Sequence, residues 1–174
     1  MRFVDFLRTT MLLSGGAATA LAAATVAGLG SRGDAVLTGV TLGWWALATM
    51  LGSWAGRQSQ VTSAVGNLLA AARSTNAIPE QRAGTILLNR LWPLLFVTIV
   101  SGALAFLAPQ VPGVFAGGGL LFALSLRRQD AAVAAIEERD GVVFYVRPTS
   151  PLKPIALDRA PGFRALRPQV DGVA

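Results

Sequence analysis

Residues 91–126 decide the fold, and they read LWPLLFVTIVSGALAFLAPQVPGVFAGGGLLFALSL. The stretch carries no charge and is almost entirely apolar, except for the five residues Pro109–Gly113, which are rich in the turn formers proline and glycine. Arg90 precedes it, and Arg127 and Arg128 follow it. Two uncharged apolar runs that are joined by a turn and flanked by arginines predict a helical hairpin in a membrane, with both ends at the same face.

The composition places the whole chain in the membrane class. Of its 174 residues, 53% are hydrophobic and only 14% are charged, and the mean hydropathy is +0.54. Soluble domains carry about 25% charged residues. The sequence contains neither cysteine nor histidine. This excludes disulfides, thiol chemistry and any metal, haem or hydrolytic site that is built on those side chains.

The N-terminal part of the chain repeats the hairpin pattern. Residues 9–29 are uncharged, and these 21 residues match the ~20 that a spanning helix needs. Two alternatives remain open for them: a retained transmembrane helix, or a cleaved signal peptide, whose apolar core is usually only about 7–15 residues long. After a turn at residues 30–34, residues 35–56 form a further uncharged run.

These runs predict an all-α integral membrane protein, a four-transmembrane-helix bundle of two helical hairpins. The membrane domain is expected to cover residues 1–128. The fourth run has only 16 residues, or about 24 Å of helix, against a hydrocarbon core of ~30 Å. The predicted spans are residues 9–29, 35–56, 88–108 and 111–126.

The basic residues predict the orientation of the bundle. With four spans, 14 of the 15 basic residues fall on the side that holds both termini, and only Arg32 falls on the other side. The positive-inside rule then places both termini in the cytoplasm. The use of 14 arginines against one lysine, with much alanine and glycine, is typical of a GC-rich bacterial genome. A multi-pass protein of the bacterial plasma (inner) membrane is therefore expected.

Residues 129–174 are predicted to form a small cytoplasmic tail. Residues 142–148 and 155–159 are β-branched or apolar enough for two strands, which would pair as a β-hairpin. An isolated hairpin is marginally stable in water, so we expect it to lie on the cytoplasmic helices, on the head groups or on another protein. In the loop between the second and third predicted spans, residues 60–73 show the spacing of an amphipathic helix.

Two glycine pairs are candidates for helix packing. Gly39 with Gly43, and Gly52 with Gly56, have the G-x-x-x-G spacing, which places both glycines on one face of a helix and admits another backbone closely. The spacing does not say whether the partner helix belongs to the same chain or to another.

Arginines at the predicted membrane boundary are candidates for binding lipid head groups. A guanidinium group matches phosphate in a two-pronged way, and each basic residue near an anionic leaflet contributes about 1 kcal/mol. The alternative is that these residues only set the topology. The candidates are Arg57, Arg82, Arg90, Arg127 and Arg128.

The sequence offers few candidate residues for catalysis or for binding metals and phosphate. Glu137, Glu138 and Asp140 form an acidic cluster that resembles a Mg²⁺ site in composition, but Arg139 interrupts it. A solvated helix end is the favoured interpretation. No ionisable residue lies in the middle of a predicted span, as ion pathways usually require, and no phosphate-binding glycine loop is present.

The sequence therefore predicts a non-catalytic small integral membrane protein. We expect a packing or accessory subunit or a scaffold with a cytoplasmic docking tail, and no catalytic residue, metal or cofactor. The expected partners are the anionic head groups of the bilayer and either another copy or a larger membrane protein, and not nucleic acid. The alternative is a small oligomeric transporter or a lipid-handling membrane protein.

Overall fold

The computed structural model describes residues 1–75, 83–105, 107–108, 110–147, 149 and 155–161. Within these ranges the chain is mostly helical, with three short strands. In chain order the elements are α1 (Phe3–Arg32), α2 (Ala35–Ala55), α3 (Gln58–Ala70), β1 (Arg73–Ser74), α4 (Ala83–Leu104), α5 (Gln110–Leu126), α6 (Gln129–Asp140), β2 (Val142–Val146) and β3 (Leu157–Pro161).

Three helices are long and apolar enough to cross a membrane, namely α1 over Phe3–Ser31, α2 and α4. The fourth predicted span forms the uncharged helix α5, which has 17 residues and therefore a length of about 26 Å. The turn predicted at Pro109–Gly113 is wrong from Gln110 onward, because α5 begins there. Pro112 stands in the first turn of α5, where the N–H that proline lacks has no helical acceptor.

The shortest apolar helix, α5, is also the most central one. It packs most extensively against α1 and α2, and it also contacts α4. Although only Gly33 and Asp34 join α1 to α2, these two helices contact each other far less than they contact α5. The predicted first hairpin is therefore wrong as a packed pair, because α5 lies between its two arms.

Glycines on α5 explain why two helices can approach it so closely. A Cβ atom at Gly117 would lie 2.1 Å from Nε1 of Trp44 on α2. A Cβ atom at Gly113 would lie 3.0 Å from Cγ2 of Thr25 on α1. The first distance is an overlap that a Cβ atom could not make, and the second is a contact tighter than most Cβ atoms make. Gly113 and Gly117 have the same four-residue spacing as the pairs on α2.

Two of the three tryptophans of α2 reinforce this contact with polar bonds. The indole N–H of Trp44 donates to the carbonyl oxygen of Val114 at 3.1 Å, and that of Trp45 donates to the carbonyl oxygen of Gly113 at 2.8 Å. An indole N–H in lipid has no water to bind, so it gains by reaching a neighbouring helix. Both N–H groups face α5.

A second core lies beyond the ends of the apolar helices, and we call it the basal module. It joins the first turns of α1, the helix α3, the start of α4, the helix α6 and the sheet. It includes part of the predicted C-terminal tail, residues 129–174, whose described helix and strands pack on α1 and α3. The buried apolar side chains are Phe3, Phe6, Leu7, Val65, Leu69, Ile86, Val133, Phe144, Val146 and Leu157.

The predicted β-hairpin forms, and it is part of a larger sheet. β2 and β3 are antiparallel, and β1 adds to β3 in parallel, which gives the order β1-β3-β2. The Val146 N–H donates to the carbonyl oxygen of Met1 at 3.1 Å, so the N-terminus covers the other edge of β2. Phe3, at the start of α1, is a core residue as well.

Substitution of Gly117 by valine is expected to destabilise the bundle, because the first added atom would overlap the Trp44 indole. Overpacking of this kind typically costs about 1–3 kcal/mol. The matched control is Gly118→Val on the same helix, where a Cβ atom has open space and the loss of helix propensity is similar. Thermal unfolding of both variants in detergent should show a lower Tm for Gly117→Val. Equal Tm values for the two variants would contradict the packing of α5.

Candidate functional site

Three of the five predicted head-group arginines come together at one place. Arg57, Arg127 and Arg128 line a cavity of about 300 Å³, which we call the arginine cavity. All three residues are exposed. The remaining lining residues are Ser53, Gly56 and Leu124.

The local sequence explains why these arginines meet. Arg57 stands at the junction of α2 and α3, while Arg127 and Arg128 stand at the junction of α5 and α6. The two junctions are adjacent because α2 packs on α5 without a gap. A Cβ atom at Gly56 would lie 2.6 Å from the carbonyl oxygen of Leu124, so the helix ends touch at their backbones.

Positive charge is concentrated at the arginine cavity, and the ion pairs of the described residues lie elsewhere. Within the described residues, the three ion pairs are Arg2 with Glu137, Arg139 with Asp140, and Arg147 with Asp158, and none of these lines the cavity. Asp130, close to Arg128 in sequence, accepts a hydrogen bond from the Ala131 N–H at 2.8 Å and does not line the cavity either.

Arg90, a further member of the predicted set, does not line this cavity. The Arg90 guanidinium donates to the hydroxyl oxygen of Thr149 at 2.9 Å, and Asn89 donates to the Thr149 carbonyl oxygen at 3.3 Å. Arg90 therefore holds the chain that follows β2 against α4. Arg82 lies outside the described residues. The predicted set of five is thus divided between places with different surroundings.

The two glycine pairs of α2 also lie in different surroundings. Gly52 and Gly56 are buried against α5, where a Cβ atom at Gly52 would lie 2.9 Å from the carbonyl oxygen of Leu121. Gly39 and Gly43 are exposed, and a Cβ atom at either position would meet nothing within 4 Å. One pair thus packs within the chain, and the other faces outward.

Gly39 of the outward pair lines a groove between the end of α1 and the start of α2, which we call the α1–α2 groove. Its wider part has a volume of about 610 Å³ and includes Gly39 and Trp45 in its lining. A narrower part of about 190 Å³ continues past Trp45, with Ala116 and Leu120 of α5 as its floor. Sequence reasoning missed the groove because it assumed that the first two spans pack against each other.

The acidic cluster is the solvated helix end that the sequence predicted at Glu138 and Asp140, but not at Glu137. Glu137 is only 6% exposed, and its carboxylate accepts from the Phe144 N–H at 2.8 Å and from the Arg2 guanidinium at 2.9 Å. Glu138 and Asp140 remain exposed, and the Arg139 guanidinium holds the pKa of the Asp140 carboxyl below its ordinary value. Among the described residues, no three potential metal ligands of the types His, Cys, Asp and Glu come together.

Glu137 therefore has a structural role, which a pair of variants would test. Glu137→Ala leaves the buried N–H of Phe144 without its acceptor, and an unsatisfied group of this kind costs about 1–3 kcal/mol. Glu138→Ala removes an exposed carboxylate from the next position, and surface changes usually stay within about 0.5 kcal/mol. Thermal unfolding in detergent should show a lower Tm for Glu137→Ala, while an equal effect of both substitutions would rule out this role.

A comparison of the chain with protein-family models, curated proteins and solved structures finds no match in any of the three.

Proposed function

We propose that the chain is a non-catalytic integral membrane protein that acts as an accessory subunit or scaffold. It would bind one transmembrane helix of a larger membrane protein in the α1–α2 groove and present the basal module as a cytoplasmic docking element. The observation that carries this proposal is the outward glycine pair, Gly39 and Gly43, of which Gly39 lines a groove that no described part of the chain fills.

Helix association in lipid explains why this surface suits a helix. Lipid tails are as apolar as leucine, so membrane helices associate through close packing at small residues rather than through the hydrophobic effect. Gly39 and Gly43 offer such a surface on α2, and small residues of α1 such as Ala18 and Ala22 face the narrower part of the groove. On the same helix, Gly52 and Gly56 already accept α5 in this way.

The proposal includes four spans, with α1 retained and both termini in the cytoplasm of a bacterial cell. Support for α5 as the fourth span comes from its alignment with α2. Gly113 lies near Thr41 at one end, and Leu124 lies against Gly56 at the other, so the two helices run parallel over most of their length. If α2 crosses the membrane, α5 lies at the same depth. The arginines that flank both helices support the orientation.

A second function, that of a small oligomeric transporter or lipid-handling protein, is favoured by a different observation. The arginine cavity gathers three cations at one end of the apolar helices, where a charged head group would lie. Flux of a lipid or neutral solute in proteoliposomes would support this function. A protein that binds its partner in fixed stoichiometry but shows no flux would support the accessory role.

Single cysteines can test the topology cleanly, because the chain has none of its own. With four spans, Ser31→Cys and Leu107→Cys should react with a membrane-impermeant maleimide on intact spheroplasts. Ser63→Cys and Glu138→Cys should react only after permeabilisation, and all four positions are exposed. Reaction of Glu138→Cys on intact spheroplasts, with Ser63→Cys still protected, would show that α5 does not cross.

The accessory role predicts that bulk at the outward glycines blocks the partner. The double variant Gly39→Leu/Gly43→Leu should lose the protein that co-purifies with the tagged wild-type chain from native membranes. The matched control is Gly16→Leu/Gly118→Leu, two glycines that also have open space but do not line the groove. The control should keep the partner at wild-type stoichiometry.

Three outcomes would contradict the proposal. These are capture of the wild-type chain with no partner in fixed stoichiometry, retention of the partner by the groove variant, and equal loss of the partner in both double variants. A thermal-unfolding measurement on each variant separates a blocked groove from a misfolded bundle, since the groove variant should unfold at the wild-type temperature.

A further inference from the structure

The arginine cavity concentrates positive charge. Three guanidinium groups stand at two neighbouring helix junctions, and among the described residues no carboxylate lines the cavity between them. Arginine does not lose its proton at any physiological pH, so the repulsion cannot be relieved by titration. No described side chain forms an ion pair with Arg57, Arg127 or Arg128. A bound anion would offset this charge.

The shape of the cavity suits a phosphate group. Its volume of about 300 Å³ lies at the lower end of the range for ligand sites. Guanidinium groups bind phosphate oxygens with two parallel hydrogen bonds, and the Ser53 hydroxyl adds a further polar group to the lining. The rigid contact of Gly56 with Leu124 holds the two junctions together, so the cavity does not have to be assembled by the ligand.

Two helices begin at the cavity and add to its positive character. Arg57 is the N-cap residue of α3 and Arg128 that of α6, and neither side chain caps its own helix. The first N–H groups of a helix lack helical acceptors and carry a partial positive charge. They favour an anion at the same place as the guanidinium groups do.

The position of the cavity indicates where the anion comes from. Ser53 and Leu124 belong to the last turns of the apolar helices α2 and α5, so the cavity opens where those helices leave the hydrocarbon region. Trp54, next to Ser53, is 51% exposed, as expected of a tryptophan at the interface between lipid and water. A lipid phosphate lies at this level, with its acyl chains alongside the exposed faces of the helices.

We infer that the arginine cavity binds the phosphate of an anionic phospholipid, such as phosphatidylglycerol, from the cytoplasmic leaflet. Arg57, Arg127 and Arg128 hold the phosphate oxygens. Arg90 takes no part, because it is bonded to Thr149. The inference rests on the proposed topology for the choice of leaflet, but it is independent of the proposed docking role.

The test uses the purified full chain in detergent, titrated with dioctanoyl phosphatidylglycerol, dioctanoyl phosphatidylcholine or inorganic phosphate. Binding is followed by isothermal titration calorimetry and by the shift in Tm. Phosphatidylglycerol should bind and raise the Tm, phosphatidylcholine should bind at least about tenfold more weakly, and inorganic phosphate should not compete at millimolar concentration.

Variants then assign the binding to the cavity. Arg127→Gln/Arg128→Gln should weaken phosphatidylglycerol binding by about tenfold or more, because each cation near an anionic lipid contributes about 1 kcal/mol, or about fivefold in affinity. Arg127→Lys/Arg128→Lys keeps the charge but loses the two-pronged geometry, so it should lie between this variant and the wild type. The matched control, Arg8→Gln/Arg73→Gln, removes the same charge from exposed positions outside the cavity and should stay within about twofold of the wild type.

Several results would overturn the inference. Equal binding of the two lipids would show that the negative charge of the head group does not matter. An equal loss of affinity in the cavity and control variants would show that binding depends on the net charge of the protein and not on the cavity. Effective competition by inorganic phosphate would assign the cavity to a soluble phosphate instead. Because no partner protein is present in this titration, the docking role can fail while lipid binding holds, and the reverse is equally distinguishable.

Discussion

The close approach of α5 to α2 and α1 is the constraint on which the rest of the structure depends. α5 is too short and too rich in glycine to be stable alone, because glycine in a helix costs about 1 kcal/mol relative to alanine. The same glycines remove the side chains that would keep neighbouring helices away, so Trp44 and Thr25 reach the backbone of α5. The loss of intrinsic helix stability is offset by packing and by the two indole bonds to the carbonyl oxygens of α5.

A single buried carboxylate holds parts of the basal module together, as the glycines allow the helices of the bundle to pack. Glu137 on α6 joins the backbone of β2 to the guanidinium of Arg2, so it links the N-terminus to the C-terminal sheet. Burying a carboxylate is costly unless it is hydrogen-bonded, and both of its oxygens are. Because α1 runs without a break from this link into the bundle, the module has a fixed position relative to the helices.

Apolar runs made the helices predictable from the sequence, but contacts between residues that are distant in the sequence could not be predicted. Runs without charge predicted α1, α2 and α4 as candidate spans, and β-branched residues predicted β2. Glu137 is the first of four consecutive charged residues, a pattern that predicted a solvated side chain. Its partners could not be predicted, because Arg2 is remote in sequence and Phe144 offers only its backbone N–H. β1 has two residues, too few for a pattern. The pair Gly113 and Gly117 was the overlooked signal that α5 is a packing centre.

The arginine cavity occupies a place where the bundle and the basal module meet. α3 and α6 begin at its rim, contact each other, and bury Val65 and Val133 in the core of the module. An anion bound there would lie at the first turns of both helices, where it stabilises the helix ends and relieves the repulsion among the arginines. The same anion would thus strengthen the bundle at the junction of α2 with α5 and the module at its base. Under the proposed binding, lipid charge would contribute to the stability of the module as well as to that of the bundle.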